Sequence, residues 1–175
     1  MHHIMIDLET LGTRSYSVFL SIAAIQFDPN TGQIGNTFRC NINLESAIKA
    51  GLRIDSSTLE WWLTQRPEIM KRMFDDPIEL KDALEQLAKF FSANKIFSPW
   101  GNSAGFDLGL LADAYSIAGM PPLPWKFWNE MCYRTMAKLV PSTIEKPKNA
   151  HDPIVDCEYQ IKVLCNVLQT LKIKL

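Results

Sequence analysis

His2-His3-Ile4-Met5-Ile6-Asp7-Leu8-Glu9-Thr10 is the stretch on which the fold turns. Residues 2–8, rich in β-branched and long apolar side chains, read as a buried strand. Alternate side chains of a strand share a face, so Asp7 and Glu9 fall on one side and Ile6 and Leu8 on the other. Two acids on one face of an apolar strand are costly unless paired or metal-bound. The competing reading ends the strand at Asp7 and leaves Glu9 in solvent. Hard cations such as Mg²⁺ and Mn²⁺ take carboxylate oxygens and bind through few protein ligands, which suits this pair.

Outward from this strand, a second spans 18–28, with Ile22, Ala24 and Gln26 alternating against Ala23, Ile25 and Phe27. Pro29-Asn30-Thr31-Gly32 is a turn signal, so 33–43 is expected back as an antiparallel hairpin partner. Ser56 and Ser57 stand where they would cap a helix through Leu59, Trp62 and Leu63, and Pro67 opens another helix. Leu80, Ala83, Leu84, Leu87, Ala88 and Phe91 give 78–93 the spacing of an amphipathic helix.

Lys95 to Trp100 reads as a short strand ended by Gly101. A helix from Phe106 to Ala118 stops at Gly119, with Pro121 and Pro122 beyond. A last strand is expected at 125–131 and a helix at 133–139. A loop from Pro141 to Asn149 leads to a final helix, Pro153 to about Lys172, with Cys157, Ile161, Leu164, Leu168 and Leu171 on one face. This order predicts a single α/β domain: a five-stranded mixed sheet, first three strands antiparallel and the first central, flanked by helices.

The 175 residues suffice for one domain with a core of its own. With 18 basic against 19 acidic residues the net charge is −1. Proteins that coat long nucleic acid carry a basic surface, so any nucleic-acid contact here is expected to be local, at a chain end. No apolar run approaches the ~20 residues of a membrane span, and no signal-peptide pattern opens the chain. Four cysteines lack CxxC spacing and read as reduced thiols of a cytoplasmic protein.

Two further acidic positions join the strand pair. Asp107 follows Trp100-Gly101-Asn102-Ser103-Ala104-Gly105-Phe106 and opens a helix, where an acid is ordinarily dipole complementation. Asp152-Pro153 marks a helix start, Asp as cap and Pro as first residue. His151 then lies just before the final helix and Asp156 in its first turns. Each reads alone as a surface residue; beside Asp7 and Glu9 they form a set. His2 and His3 read as incidental. Lys138, Lys146 and Lys148 read equally as phosphate contacts or as a solvated loop.

Asp7-x-Glu9-Thr10, Phe106-Asp107 and His151-x4-Asp156, in this order, resemble the DEDDh (DnaQ-like) family of 3′→5′ exonucleases, which have a ribonuclease H-like fold. The resemblance covers nearly the whole chain. Ser57-Thr58-Leu59-Glu60-Trp61-Trp62-Leu63-Thr64-Gln65 looks like the branch of phage DexA exonuclease, exonuclease VIII-type and mycobacterial exoribonuclease domains. Pro153 and Val155 stand where smaller or acidic residues are common, a departure that bears on loop geometry.

The resemblance implies that Asp7, Glu9 and Asp156 ligate two divalent ions, Mg²⁺ or Mn²⁺, with Asp107 binding directly or through water. It implies that His151 takes the proton from the attacking water and that the products are nucleoside 5′-monophosphates. A two-ion site stabilises the attacking and leaving oxygens of an in-line displacement, and a histidine near neutral pKa suits the base. The implied partner is the 3′ end of RNA or single-stranded DNA, held by Thr10, Leu11 and Gly12, with Phe106 and Asn102 as further contacts. Adjacent helical residues diverge by about 100°, so one of Trp61 and Trp62 can be core while the other stacks on a base; Trp61 is read as core, Trp62 as either. Many relatives are homodimers, and Trp125, Phe127 and Trp128 would serve either an interface or the core. Two other readings stay open: a phosphohydrolase of small nucleotides or dinucleotides, and an inactive module that binds nucleic-acid ends.

Overall fold

β1 (His3–Thr10) is buried on both faces, which is why its sequence is nearly unbroken apolar up to Asp7. It pairs antiparallel with β2 (Phe19–Phe27) and parallel with β4 (Ser98–Gly101). β2 pairs antiparallel with β3 (Ile34–Asn41), and β4 parallel with β5 (Met131–Cys132). The sheet order is therefore β3-β2-β1-β4-β5, with the first strand central as expected. The computed structural model describes residues 2–91, 96–148 and 151–175. The expected strand start at Lys95, the helix end at 92–93 and the loop end at Asn149 lie outside the described residues.

Strand alternation divides the core in two. Ile4, Ile6 and Leu8, with Leu20, Ile22 and Ala24, pack against α1 (Leu44–Ala50), α2 (Ser56–Leu63), α4 (Leu80–Phe90) and α5 (Gly109–Ile117). Met5, with Ala23, Ile25, Phe27 and Trp100, faces α6 (Tyr133–Ala137) and the long α7 (Pro153–Leu171). Ala23 and Cys157 are small enough for α7 to lie close: the Cys157 thiol reaches the Met5 carbonyl at 3.7 Å and the Ala23 carbonyl at 3.9 Å. The four cysteines are free, and no helix among the described residues is long and apolar enough to cross a membrane.

Several sequence expectations are corrected. α1 is an additional helix, started by Asn43, whose side chain accepts from the Ser46 N–H at 3.1 Å. Asp55, rather than Ser56 or Ser57, is the cap position of α2, and its carboxylate is engaged by the Thr13 N–H at 3.2 Å instead. α3 (Pro67–Met73) starts at proline as expected. The strand expected at 125–131 is only Met131–Cys132, preceded by a single 3₁₀ turn, Phe127–Asn129. There the Trp125 indole N–H donates to Glu130 Oε1 at 2.9 Å, closing the segment over five residues so that it cannot extend. Trp125 is buried while Phe127 and Trp128 are exposed. On α7, Cys157, Ile161, Leu164 and Leu168 are buried, but Leu171 is exposed at the helix end.

Trp62 ties α2 to the end of β1. It is fully packed, and its indole N–H donates to the Thr10 carbonyl at 2.8 Å, where the β1–β2 register slips between Glu9 and Thr10. Trp62→Ala removes both a large core side chain and this hydrogen bond. It is expected to destabilise the fold by about 3–5 kcal/mol, measured by denaturant unfolding.

Candidate active site

The alternation that places Met5 against α7 continues along β1 and brings Asp7 and Glu9 onto the same face, 8% and 6% exposed. Asp107 joins them, 3% exposed, from a π-helical turn, Ala104–Leu108, between β4 and α5. Its Oδ2 accepts from the Ser103 N–H at 3.1 Å. Gly101 makes room for this: a Cβ there would stand 3.0 Å from Asp107 Oδ2 and from the Ser103 carbonyl. The α-helix expected from Phe106 thus begins only at Gly109, and Asp107 sits in a widened turn, a feature common at functional sites.

α7 delivers the rest. Asp152 caps it as expected, accepting from the Ile154 N–H at 3.1 Å, and Pro153 is its first residue. His151 takes a left-handed backbone, φ 71°, and donates its N–H to Asp156 Oδ2 at 2.9 Å. Its ring stands edge-on to Trp61 and Trp62, centroids 5.1 and 5.7 Å away. Glu9, His151 and Asp156 offer ligand atoms all within 4.8 Å of one another. One turn beyond Asp156, Gln160 Nε2 donates to Asp7 Oδ1 at 2.8 Å, while its Oε1 is buried without a partner. Gln160 was missed in the sequence reading. Its signal was an amide at i+4 from Asp156, beside the apolar Cys157 and Ile161.

Burial and mutual repulsion raise the acids together. Asp7 is pushed well above the usual carboxylate range, first by burial and then by Glu9, Asp107 and Asp156, against the Gln160 hydrogen bond. Glu9 is raised to about 8, by burial and then by Asp156, Asp152 and Asp107. Burial lifts Asp107 to about 6 despite its backbone hydrogen bonds. Burial also raises Asp156, against the His151 N–H. Among the described residues no cationic side chain forms an ion pair with any of the four. A hard divalent cation fits this oxygen-rich set, which lacks a direct ion-pair partner, and its charge would oppose the shifts.

These acids floor a cleft of about 480 Å³, also lined by Asn102, Phe106, Tyr133, Arg134, Lys146 and Tyr159. Phe106, Glu9 and His151 border a second groove of about 370 Å³, with Thr10, Thr13, Ser57, Thr58 and Trp61 along it. Asn102 and Phe106 thus line the cleft, and Phe106 and Thr10 the groove. Leu11 and Gly12 line neither. The Leu11 side chain is 1% exposed, its N–H donates to the Val18 carbonyl and its carbonyl accepts from the Asp55 N–H. Gly12 is packed against Ser17. Trp61, read as core, is instead 43% exposed along the groove; Trp62, left open between core and substrate contact, is core at 2% exposed, although it too borders the groove. Of the three lysines, only Lys146 lines the cleft. His3 is packed at the far end of β1, its Nδ1 accepting from the Trp100 indole at 2.9 Å.

A mixed sheet with four carboxylates and a histidine gathered at the end of its central strand is the arrangement of DEDDh-type 3′→5′ exonucleases, hydrolases of nucleic acids that depend on divalent metal. The fold is that of the nuclease domain of 3′hExo, a DEDDh family member solved with rAMP (TM-score 0.64, 11% identity, 96% of this chain and 92% of that one). It is also that of the E. coli exonuclease I–single-stranded DNA complex (TM-score 0.70, 15% identity, 97% of this chain and 40% of that one). Matching the family model over residues 2–168, the chain belongs to the 3′-5′ exoribonuclease Rv2179c-like domain family. It is 27% identical to the exodeoxyribonuclease of Enterobacteria phage T4 over 94% of this chain and 88% of the phage protein.

The raised Glu9 has a consequence for stability. Its carboxyl titrates near 4.5 when unfolded and at about 8 when folded. The unfolded chain loses this proton first, so the contribution of Glu9 to stability is fully present below 4.5 and is lost as pH rises toward about 8. In calorimetry of the metal-free protein, Tm is expected to fall across this window, less steeply in Glu9→Gln. Mg²⁺ or Mn²⁺ is expected to raise Tm more at the alkaline end, because ligation requires the ionised acids.

Proposed function

We propose that this domain hydrolyses the 3′-terminal phosphodiester of RNA or single-stranded DNA and releases nucleoside 5′-monophosphates. The observation that carries this reading is the burial of Asp7, Glu9 and Asp107 beside Asp156 and His151 with no ion-pairing cation among the described residues. Asp7, Glu9, Asp107 and Asp156 hold the metal; two Mg²⁺ or Mn²⁺ ions, when bound, supply Lewis-acid stabilisation of the attacking and leaving oxygens.

The side chains divide the remaining work. Gln160 orients Asp7 through its 2.8 Å hydrogen bond. His151, flanked by two indoles whose planes stand nearly perpendicular to its own, accepts the proton of the attacking water. Trp61 and Phe106 border the groove beside His151 and offer aromatic faces to the terminal base, a contact tolerant of base identity. Thr10 borders the same groove at the end of β1. The relatives support either nucleic acid: the family is named for an exoribonuclease and the phage relative for an exodeoxyribonuclease. The free thiols fit a reducing compartment, the cytoplasm.

The test is a degradation ladder on matched 5′-labelled RNA and DNA strands, with and without Mn²⁺. Asp7→Ala and Asp156→Asn are expected to abolish cleavage while keeping the folded circular dichroism spectrum. Near-normal metal-dependent turnover in either would sink the site assignment. His151→Ala is expected to lower kcat by about 10²–10⁴-fold, the usual contribution of a general base, and an unaltered rate removes His151 from that role. A dinucleotide compared with a twenty-mer separates an exonuclease from a small-nucleotide hydrolase.

A further inference from the structure

Three arginines unused by this chemistry converge on the segment that carries His151. Arg39, on β3, and Arg72, in the last turn of α3, reach the same Asp152 Oδ2 at 3.4 and 3.5 Å. Arg66, at the start of α3, donates from Nη2 to the Lys148 carbonyl at 3.2 Å. Lys148 and Asp152 stand on either side of His151 in the chain. The arginines border a cavity of about 200 Å³ that His151 and Asp152 close. All three already bond to acceptors of this chain, so the cavity is built around the loop rather than left open as an anion site.

His151 needs such support. A left-handed backbone at a non-glycine residue persists only where the surroundings over-determine it. The 2.9 Å bond to Asp156 holds one side of His151, and the Asp152 cap holds the start of α7. Arg39 and Arg72 fix Asp152 to the scaffold, and Arg66 fixes the approach at Lys148. Arg39 pairs across the sheet with Ala23, and Ala23 with Asp7. The loop is thereby referenced to the cross-strand row that carries the first acid. Solvent-accessible ion pairs add little to global stability, so the effect of this convergence is on position.

We infer that Arg39, Arg66 and Arg72 are positioning residues that hold His151 in line with Glu9 and Asp156 for proton transfer. The inference rests on His151 being the base, as proposed above. The test is a double-mutant cycle on single-strand cleavage. Arg39→Gln/Arg72→Gln and Arg66→Gln are expected to lower kcat by about tenfold or more, since misplacement near 1 Å costs on the order of 100-fold. KM should change less than about threefold, because the substrate grooves are not lined by these residues. In a His151→Ala background the same substitutions should lower kcat no further.

Asp152→Asn keeps a capping side chain but loses the ion pairs, and should also lower kcat. A rise instead would mean that the arginines act only through their field, and would overturn the inference. Undiminished kcat in folded glutamine variants, or an equal loss with and without His151, overturns it as well. Arg→Lys keeps the charge and loses the guanidinium fork. Those variants should fall between wild type and glutamine, and they carry the same cycle if a glutamine variant does not fold. Failure of the base assignment itself is read separately, from His151→Ala alone.

Discussion

Three carboxylates held out of water within one small volume are the constraint around which this domain is organised. Ionised acids there repel one another and are poorly solvated, so each is pushed toward its neutral form. Such an arrangement opposes folding unless the surrounding packing is strong. The packing is supplied by β1, buried along both faces and hydrogen-bonded on both edges, with its apolar residues completing the two cores. Asp7 and Glu9 occupy the end of this strand, with Asp107 beside them from the π-helical turn, where the sheet borders the cleft. The rigid centre of the molecule and its electrostatic weak point are contiguous.

α7 serves both requirements. Its middle seals the second core through Cys157, Ile161, Leu164 and Leu168. Its first turns present Asp156 and Gln160 toward β1, and the residue just before its cap is His151. Because the thiol of Cys157 sits against the backbone of β1 and β2, the distance between helix and strand is set by a small buried side chain. A helix rotation would move the polar turn and the apolar stripe together. The packing of the core and the spacing of the acids are one quantity.

The legible part of this structure was the periodic part. Alternation along 2–10 placed Asp7 and Glu9 on one face, and Asp152-Pro153 placed the start of α7, so the strand acids and the helix-end pair followed from local rules. Asp107 was harder, because a π-helical turn has no period that distinguishes it from an α-helix. Trp61 was expected in the core and Trp62 left open, because which indole faces β1 is decided by the Thr10 carbonyl, a tertiary partner 52 residues from Trp62. Leu11 and Gly12 lie next to the acids in sequence, yet the chain turns inward after Thr10 and buries them. The strand expected around Trp125 failed for a similar reason: aromatic content suggests extension, and one indole–carboxylate bond enforces a turn.

The π-helical turn also sets a trade between robustness and chemistry. Its wider winding carries one residue more than a regular α-helical turn would use. Excising that residue would let the helix run regularly from Ser103 into α5, with better-aligned hydrogen bonds. It would also swing Asp107 about 100° around the axis, away from Gly101 and the other acids. The most orderly version of this segment is therefore one that takes Asp107 out of the acid cluster, and the irregularity is what keeps that single side chain in it.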